Sequence, residues 1–381
     1  MTDSPADREA TTTVDFEEVM RGQGARPGRK SPRAKSLPRR VAKLFGIFVI
    51  VLLVTLMALF FWASGGDSDD REVSPGLIID RSAEVAPKAA AIELTVVTFN
   101  IGYGRGPAGD ESGPWTREHI VKHLDGIASQ LVAIDADLAF LQEVDLASSR
   151  SHDIDEGRYL ADKARYPFAS CVTTWEKNYV PFPYWPPSRH YGAMKSGQCI
   201  LSRFPITSST RHRLPQPASN PWWRNAFYLN RALDLVKIKV GETTFDIVNV
   251  HLEAFDTDNR MDHAQRLVNL IDQGGLDKRR LIVAGDFNAP PPEATQRKGF
   301  VDEPEADFTG DATIALLRNV DGLTQTLVDE SVFTFPADLP SRRLDYIFIG
   351  AGLSVVETRV VTDSGPWSDH LPVFARLSVA R

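Results

Sequence analysis

Apolar positions fall into distinct patterns along this chain. From Leu44 to Ala63 (LFGIFVIVLLVTLMALFFWA) they are continuous: 20 residues carry no charge, and only Gly46 and Thr55 interrupt softly. A helix of that length rises ~30 Å, the hydrocarbon thickness of a bilayer. A core helix is rarely apolar around its whole circumference, and a cleaved signal peptide usually has a shorter apolar region of ~7–15 residues. The segment therefore reads as an uncleaved transmembrane anchor. After about Ile92 the pattern changes to short β-branched runs alternating with helical spacing. Leu94–Phe99 predicts a strand, and Thr116 is placed to cap a helix whose Ile120, Leu124, Ile127 and Leu131 share one face. Further strands are expected at Leu138–Gln142, Phe168–Val172, Cys199–Ser202, Ala232–Val240 and Phe245–Val250, the last two forming a hairpin about Gly241. Ala264, Leu267, Val268 and Ile271 mark a second helix. Strands at Leu281–Ala284, Tyr346–Ile349, Ser354–Val361 and Val373–Leu377 complete a strand-rich α/β domain.

Where periodicity is missing, composition decides. Met1 to Arg40 is rich in Pro, Gly, Arg, Ser and Thr, which predicts a disordered tail. The expected organisation is a basic tail over residues 1–43, the anchor over 44–63, a polar stalk over 64–91 and one domain over 92–381, long enough for a substantial core. No internal repeat of fixed period is present.

Charge sets topology and narrows the partners. The whole chain has a formal charge of −7, but Met1 to Lys43 holds ten Lys and Arg against six Asp and Glu, leaving 33 basic and 44 acidic residues beyond it. Nine basic residues from Arg21 to Lys43 precede the apolar span with no acid among them, whereas Asp67, Asp69, Asp70 and Glu72 follow it with Arg71 as the one base. By the positive-inside rule this is a single-pass membrane protein with a cytoplasmic N-terminus and an extracytoplasmic domain. An acidic domain disfavours a nucleic-acid substrate without excluding one, since phosphate-backbone affinity comes from clustered Lys and Arg. Two cysteines exclude a disulfide scaffold and a C-x-x-C zinc site. Cys171 and Cys199 lie in strands that could pair, in an oxidising compartment, so they form either one disulfide, which is expected, or two buried thiols.

The informative positions are the strand ends. Asn100, Glu143, Asn249 with His251, Asp286 with Asn288, Asp345, and Asp369 with His370 each end or adjoin a predicted strand. One such residue is ordinarily a turn former. Their recurrence instead suggests convergence on one rim of a rigid sheet scaffold. His119 and His123 are spaced i, i+4 but have no third ligand nearby in sequence, and read as a solvated helix face. His152, His212 and His263 are expected at the surface.

In order, TFNIG (Thr98–Gly102), LQEVD (Leu141–Asp145), VNVHL (Val248–Leu252), GDFNAPP (Gly285–Pro291), RLDYIF (Arg343–Phe348) and SDHLPV (Ser368–Val373) resemble the endonuclease/exonuclease/phosphatase superfamily over about Val96 to Leu377. The resemblance implies a four-layer α/β sandwich of two packed mixed β-sheets flanked by helices. It also implies metal-dependent hydrolysis of a phosphate ester. An oxygen-rich site without thiolate suits Mg²⁺ or Mn²⁺. Glu143 is then the principal ligand, with Asn100 beside it and Asp369 as a further contact. His370 with Asp345 resembles the family's histidine–carboxylate pair, and Asp286 competes with His370 for water activation. Asn288 would bond a phosphoryl oxygen, and His251 the phosphate or leaving oxygen.

Substrate identity is less marked. The Y-G at Tyr191 suggests that His190 and Tyr191 support the substrate. Trp175–Arg189, containing Trp185, and Leu214–Arg224, containing Trp222 and Trp223, are aromatic, Pro-rich and without period. They either bind substrate or cover the sandwich edges. SRRLDYIF stands where inositol phosphatases carry P-x-W-C-D-R, and TFNIGYG where abasic-site endonucleases carry W-N-x-N-G-x-R, so both branches are disfavoured. The expectation is a monomeric, membrane-anchored phosphodiesterase acting on a lipid headgroup or other envelope phosphodiester. An extracytoplasmic nuclease is the alternative, and a noncatalytic binding protein on the same fold a remote one.

Overall fold

The computed structural model describes residues 39–66, 69–107, 115–363 and 365–379. The expected tail lies outside the described residues up to residue 38. Two compact units are present, Met1–Leu56 and Met57–Arg381. Helix α1 (Arg39–Ser64) starts five residues before the expected anchor. It is the one helix among the described residues long and apolar enough to cross a membrane, and none of its residues is buried.

In the second unit, β1 (Val73–Pro75), β2 (Leu77–Asp80) and β3 (Glu93–Asn100) are followed by α2 (Arg117–Ile134), β4 (Leu138–Asp145) and α3 (Glu156–Lys163). Then come β5 (Phe168–Val180), β6 (Gly192–Ser202), β7 (Ile206–Leu214), the short α4 (Trp222–Asn225), β8 (Arg231–Val240) and β9 (Thr243–His251). The chain continues through α5 (Thr257–Gln273), β10 (Leu281–Asp286), α6 (Thr313–Arg318), β11 (Leu323–Gln325), β12 (Asp345–Gly350), β13 (Leu353–Val360) and β14 (Val373–Val379). Two seven-stranded sheets result, ordered β13-β14-β3-β4-β6-β5-β2 and β1-β7-β8-β9-β10-β12-β11. Both are mixed, because β3 and β4 run parallel, as do β9 and β10, among otherwise antiparallel pairs.

Period-two side-chain alternation generates the layers. On β3, Leu94 and Val96 enter the core between the sheets with Ile247 of β9 and Ile282 of β10. Val97 and Phe99 face the other way, onto Ile120, Leu124 and Ile127 of α2. That helix starts where its sequence predicts, with Thr116 Oγ1 accepting from His119 N at 3.2 Å. Across the molecule, Val248 and Val250 of β9 pack on Ala264 and Leu267 of α5. The four layers are helices, sheet, sheet, helices.

The sheets are also tied by polar side chains. Asn249 Nδ2 donates to Leu141 O and Cys199 O, each at 3.0 Å, and its Oδ1 accepts from Gln142 Nε2 at 2.7 Å. Cys171 and Cys199, register partners on β5 and β6, are joined by a disulfide.

Four expectations are corrected. The stretch read as a stalk contributes β1, paired with β7, and β2, paired with β5. Its apolar Leu77-Ile78-Ile79 run supplies the reason, since Ile79 reaches the core under α2 and α3. Trp175–Arg189 is not wholly irregular, because β5 continues to Val180 with register shifts at Thr173/Trp175 and Lys177/Val180 that break the period. His263 is fully buried rather than on the surface, its Nε2 2.7 Å from Pro215 O. His123 is buried too, its Nδ1 2.8 Å from His119 O.

Candidate active site

The rim residues follow from strand register. Asp286 ends β10, where it pairs with His251 on one side and Asp345 on the other. Side chains paired across adjacent strands point to the same face, so His251, Asp286 and Asp345 form one row. The preceding Gly285 has φ +152, and a Cβ there would lie 1.9 Å from Val250 O. Only glycine lets β10 approach β9 this closely. The other sheet brings Asn100 from the end of β3 and Glu143 from β4. A register shift between Leu141 and Val144 puts Glu143 at φ 54 and turns it out of the strand pattern.

Around Asp286 the contacts converge. Asn100 Nδ2 donates to Asp286 Oδ2 at 3.0 Å, and Asn288 N donates to Asp286 Oδ1 at 2.8 Å. His251 Nε2 stands 3.5 Å and His370 Nε2 3.7 Å from Asp286 Oδ2. His370 Nδ1 bonds Asp345 Oδ2 at 2.8 Å. His251 Nε2 also lies 3.9 Å from Glu143 Oε1. Seven of the residues expected to act at phosphate are thus in one constellation, Asn100, Glu143, His251, Asp286, Asn288, Asp345 and His370, and Asp369 lines the cavity they face.

Their environments drive the protonation states apart. Burial alone would lower His370, but the carboxylates of Asp345 and Asp286 outweigh it and raise the imidazole to about 10. Burial, then Arg231, pushes His251 well below its usual value. Arg231 Nη1 lies 2.8 and 2.7 Å from the two nitrogens of that ring, and a guanidinium has only hydrogens to offer. Burial and the nearby Asp345 charge raise Asp286 to about 7, despite the opposing pull of His370.

A cavity of about 660 Å³ opens onto Glu143, His251, Asp286, Asn288, Asp369 and His370. Tyr191 and Trp223 line it. Trp185 and Trp222 are exposed and are not among its lining residues. His190 is also set back, its Nδ1 2.8 Å from Tyr179 Oη. Sequence reading missed Arg231, Arg105 and Tyr103, all of which line the cavity. Arg231 could have been found: it starts the strand that forms a hairpin with VNVHL, at the same rim.

The donor set suits a hard divalent cation. Carboxylate and amide oxygens dominate, and both cysteine sulfurs are tied up in the disulfide. Asp345 Oδ1 is buried without a hydrogen-bond partner among the described residues, and Glu143 has Arg105 Nη2 and His251 Nε2 no nearer than 3.9 Å. Asp286, Asp345 and His370 could also gather around an ion by distance. An imidazole held protonated is no ligand, however, which favours the Glu143 side.

The profile of the Endonuclease/Exonuclease/phosphatase family matches residues 97–370. Similar solved structures include an endonuclease/exonuclease/phosphatase from Beutenbergia cavernae DSM 12333, with a TM-score of 0.52 and 21% identity over 76% of this chain and 72% of that one. A family protein from Leptotrichia buccalis C-1013-b has a TM-score of 0.51 and 14% identity over 75% and 99% of the two chains. The human Nocturnin catalytic domain with bound sulfate has a TM-score of 0.50 and 19% identity over 79% and 100%. At these identities the likeness is one of fold. No curated protein matches the chain.

Proposed function

Because this chain belongs to the endonuclease/exonuclease/phosphatase family, and is therefore a metal-dependent hydrolase of phosphate esters, we propose that it is a membrane-anchored phosphodiesterase working outside the cytoplasm. The observation that carries the proposal is the row of His251, Asp286 and Asp345 with His370 behind it, in which His251, Asp286 and His370 are held in different protonation states. The apolar α1 and the basic residues before it support the anchoring and the orientation. A lipid headgroup or another envelope phosphodiester is the substrate within reach of such an anchor.

Glu143, with Asn100 and Asp369, would hold Mg²⁺ or Mn²⁺. Bound there, the ion supplies Lewis-acid stabilisation of charge on the phosphoryl oxygens. The protein groups account for the proton movements. Asp286, raised to about 7 and held by Asn100 and Asn288, is the base that takes a proton from the attacking water. The water oxygen forms its bond to phosphorus as the ester P–O bond opposite breaks. His370, kept cationic by Asp345, and the N–H of neutral His251 donate to phosphoryl and leaving oxygens. Asn288 adds an amide at the cavity wall.

The test is hydrolysis of an aryl phosphodiester, plasmid DNA, RNA, sphingomyelin and glycerophospholipids by the full chain in detergent, with Mg²⁺ supplied or chelated. Metal-dependent turnover abolished by His251→Ala is the expected result. Turnover that survives both chelation and the substitution would refute the assignment. Nuclease action is the second reading, favoured by the aromatic cavity wall. It predicts that the DNA or RNA arm dominates and falls steeply with salt.

A further inference from the structure

The cavity is far larger than a phosphate needs, and much of its lining is aromatic. Trp175, Phe182, Trp223, Phe227 and Phe255 line it together with the catalytic residues. A sixth wall residue comes from the last turns of α1, in the same compact unit: Phe60 lines the cavity and packs edge-on against Phe227 at 5.2 Å and Trp222 at 5.6 Å. Beside it, Asn178 Nδ2 donates to Trp62 O at 2.8 Å and Asn178 N to Gly65 O at 2.7 Å. The end of the apolar helix is thus built into the wall of the site.

Four arginines line the cavity, and each is engaged by groups of the protein rather than set in an open track for a polyanion. Arg150 is ion-paired with Asp145 at 2.9 Å and stacked on Tyr103 at 3.6 Å, Arg105 donates to Gly102 O at 3.1 Å and stands 3.9 Å from Glu143, Arg231 faces His251, and Arg224 lies 5.8 Å from the Tyr228 ring. At the mouth, Tyr184 and Phe255 are 79% and 71% exposed, and the neighbouring Trp185 and Trp222 80% and 68%. Large aromatics so exposed around a cavity mark a binding surface, and Trp and Tyr are the residues that settle at a bilayer interface.

We propose that this cavity is a groove for the hydrocarbon chain of a phosphate-ester lipid, entered from the bilayer beside α1, with Phe60, Trp223 and Phe227 gripping the chain while the phosphate reaches His251 and Asp286. The proposal rests on the phosphoesterase reading above. It replaces a choice among envelope phosphodiesters by one class, amphiphiles whose phosphate is esterified next to an aliphatic chain.

A headgroup-independent series tests it: methyl, octyl and thymidine-5′ esters of p-nitrophenyl phosphate, below micellar concentration, with the full chain in a fixed amount of nonionic detergent. Octyl should exceed methyl by at least about tenfold in kcat/KM, as burial of added methylenes requires. Trp223→Ala and Phe60→Ala, both at solvent-accessible positions, should each cut that octyl-to-methyl ratio at least threefold, by rough estimate from lost aromatic contact. A ratio near one, or a ratio unchanged in both variants, overturns the groove. Preference for the thymidine ester overturns it in favour of a base-stacking cleft. If no ester turns over with Mg²⁺ or Mn²⁺, the phosphoesterase reading itself fails, and the groove with it.

Discussion

His370 Nδ1 bonds Asp345 Oδ2 at 2.8 Å, and this contact makes His370, not His251, the charged histidine of the rim. Both rings stand within 3.7 Å of Asp286 Oδ2. Only one has a buried carboxylate on its far nitrogen.

The first prediction follows. In Asp345→Asn, His370 loses its largest source of positive shift, so its pKa falls from about 10 towards the burial-lowered range. Activity that needs the imidazolium should then fail at lower pH, moving the basic limb of the pH–rate profile downward. A kcat/KM loss of about 100-fold or more is expected at pH 8. A profile unchanged in shape would mean that His370 does not act as a cation.

Arg231 supports a second prediction. Its guanidinium adds to burial in keeping His251 neutral. Arg231→Met should raise the pKa of His251 and lower kcat/KM by at least about tenfold, since the neutral ring is the required form. Histidine NMR titration of labelled protein reads the first effect directly. A His251 titration identical to wild type would show that burial alone sets its state.

Much of this was legible in the sequence, unevenly and for physical reasons. Strands buried on both faces, such as Leu138–Gln142 and Leu281–Ala284, are short apolar runs, and capped α2 carries an unbroken helical face. The site was legible because strand ends are points where rigid elements present polar groups. What escaped notice depended on tertiary partners. β7 (ITSSTRHRL) has little apolar signal, and α3 and α6 are too short for periodicity to accumulate. The Asp345–His370 pair is legible only through the motif resemblance. Arg231 is ordinary in sequence and becomes a site residue only because β8 folds back on β9.

Asn249 allows a third prediction, about stability. It sits between the sheets and meets two carbonyls and the Gln142 amide at once. Asn249→Ala leaves all three groups buried without it, at about 1–3 kcal/mol for each that finds no new partner. A loss of about 3 kcal/mol or more in denaturant unfolding is expected. A loss under about 1 kcal/mol would indicate that water replaces the amide.

The last prediction concerns acid stability and uses a group remote from the rim. Burial pushes His263 down to about 4, although its contact with Pro215 O opposes the shift. In the unfolded chain its pKa is the ordinary 6.5 or so. Between those values the unfolded state binds a proton that the folded state refuses, so stability rises with pH. The contribution is complete above about 6.5 and drains away as pH falls towards 4. By pH 4.5 the loss should amount to some 2–3 kcal/mol, on the order of two pKa units of linkage. His263→Gln keeps an amide donor for Pro215 O and removes the titration. Urea unfolding of both proteins at pH 7.5 and 4.5 isolates the effect, because all other titrating groups cancel in the difference. The wild type should lose more stability than the variant over that interval. Equal losses would mean that the imidazole is protonated in place, with solvent reaching the floor of α5.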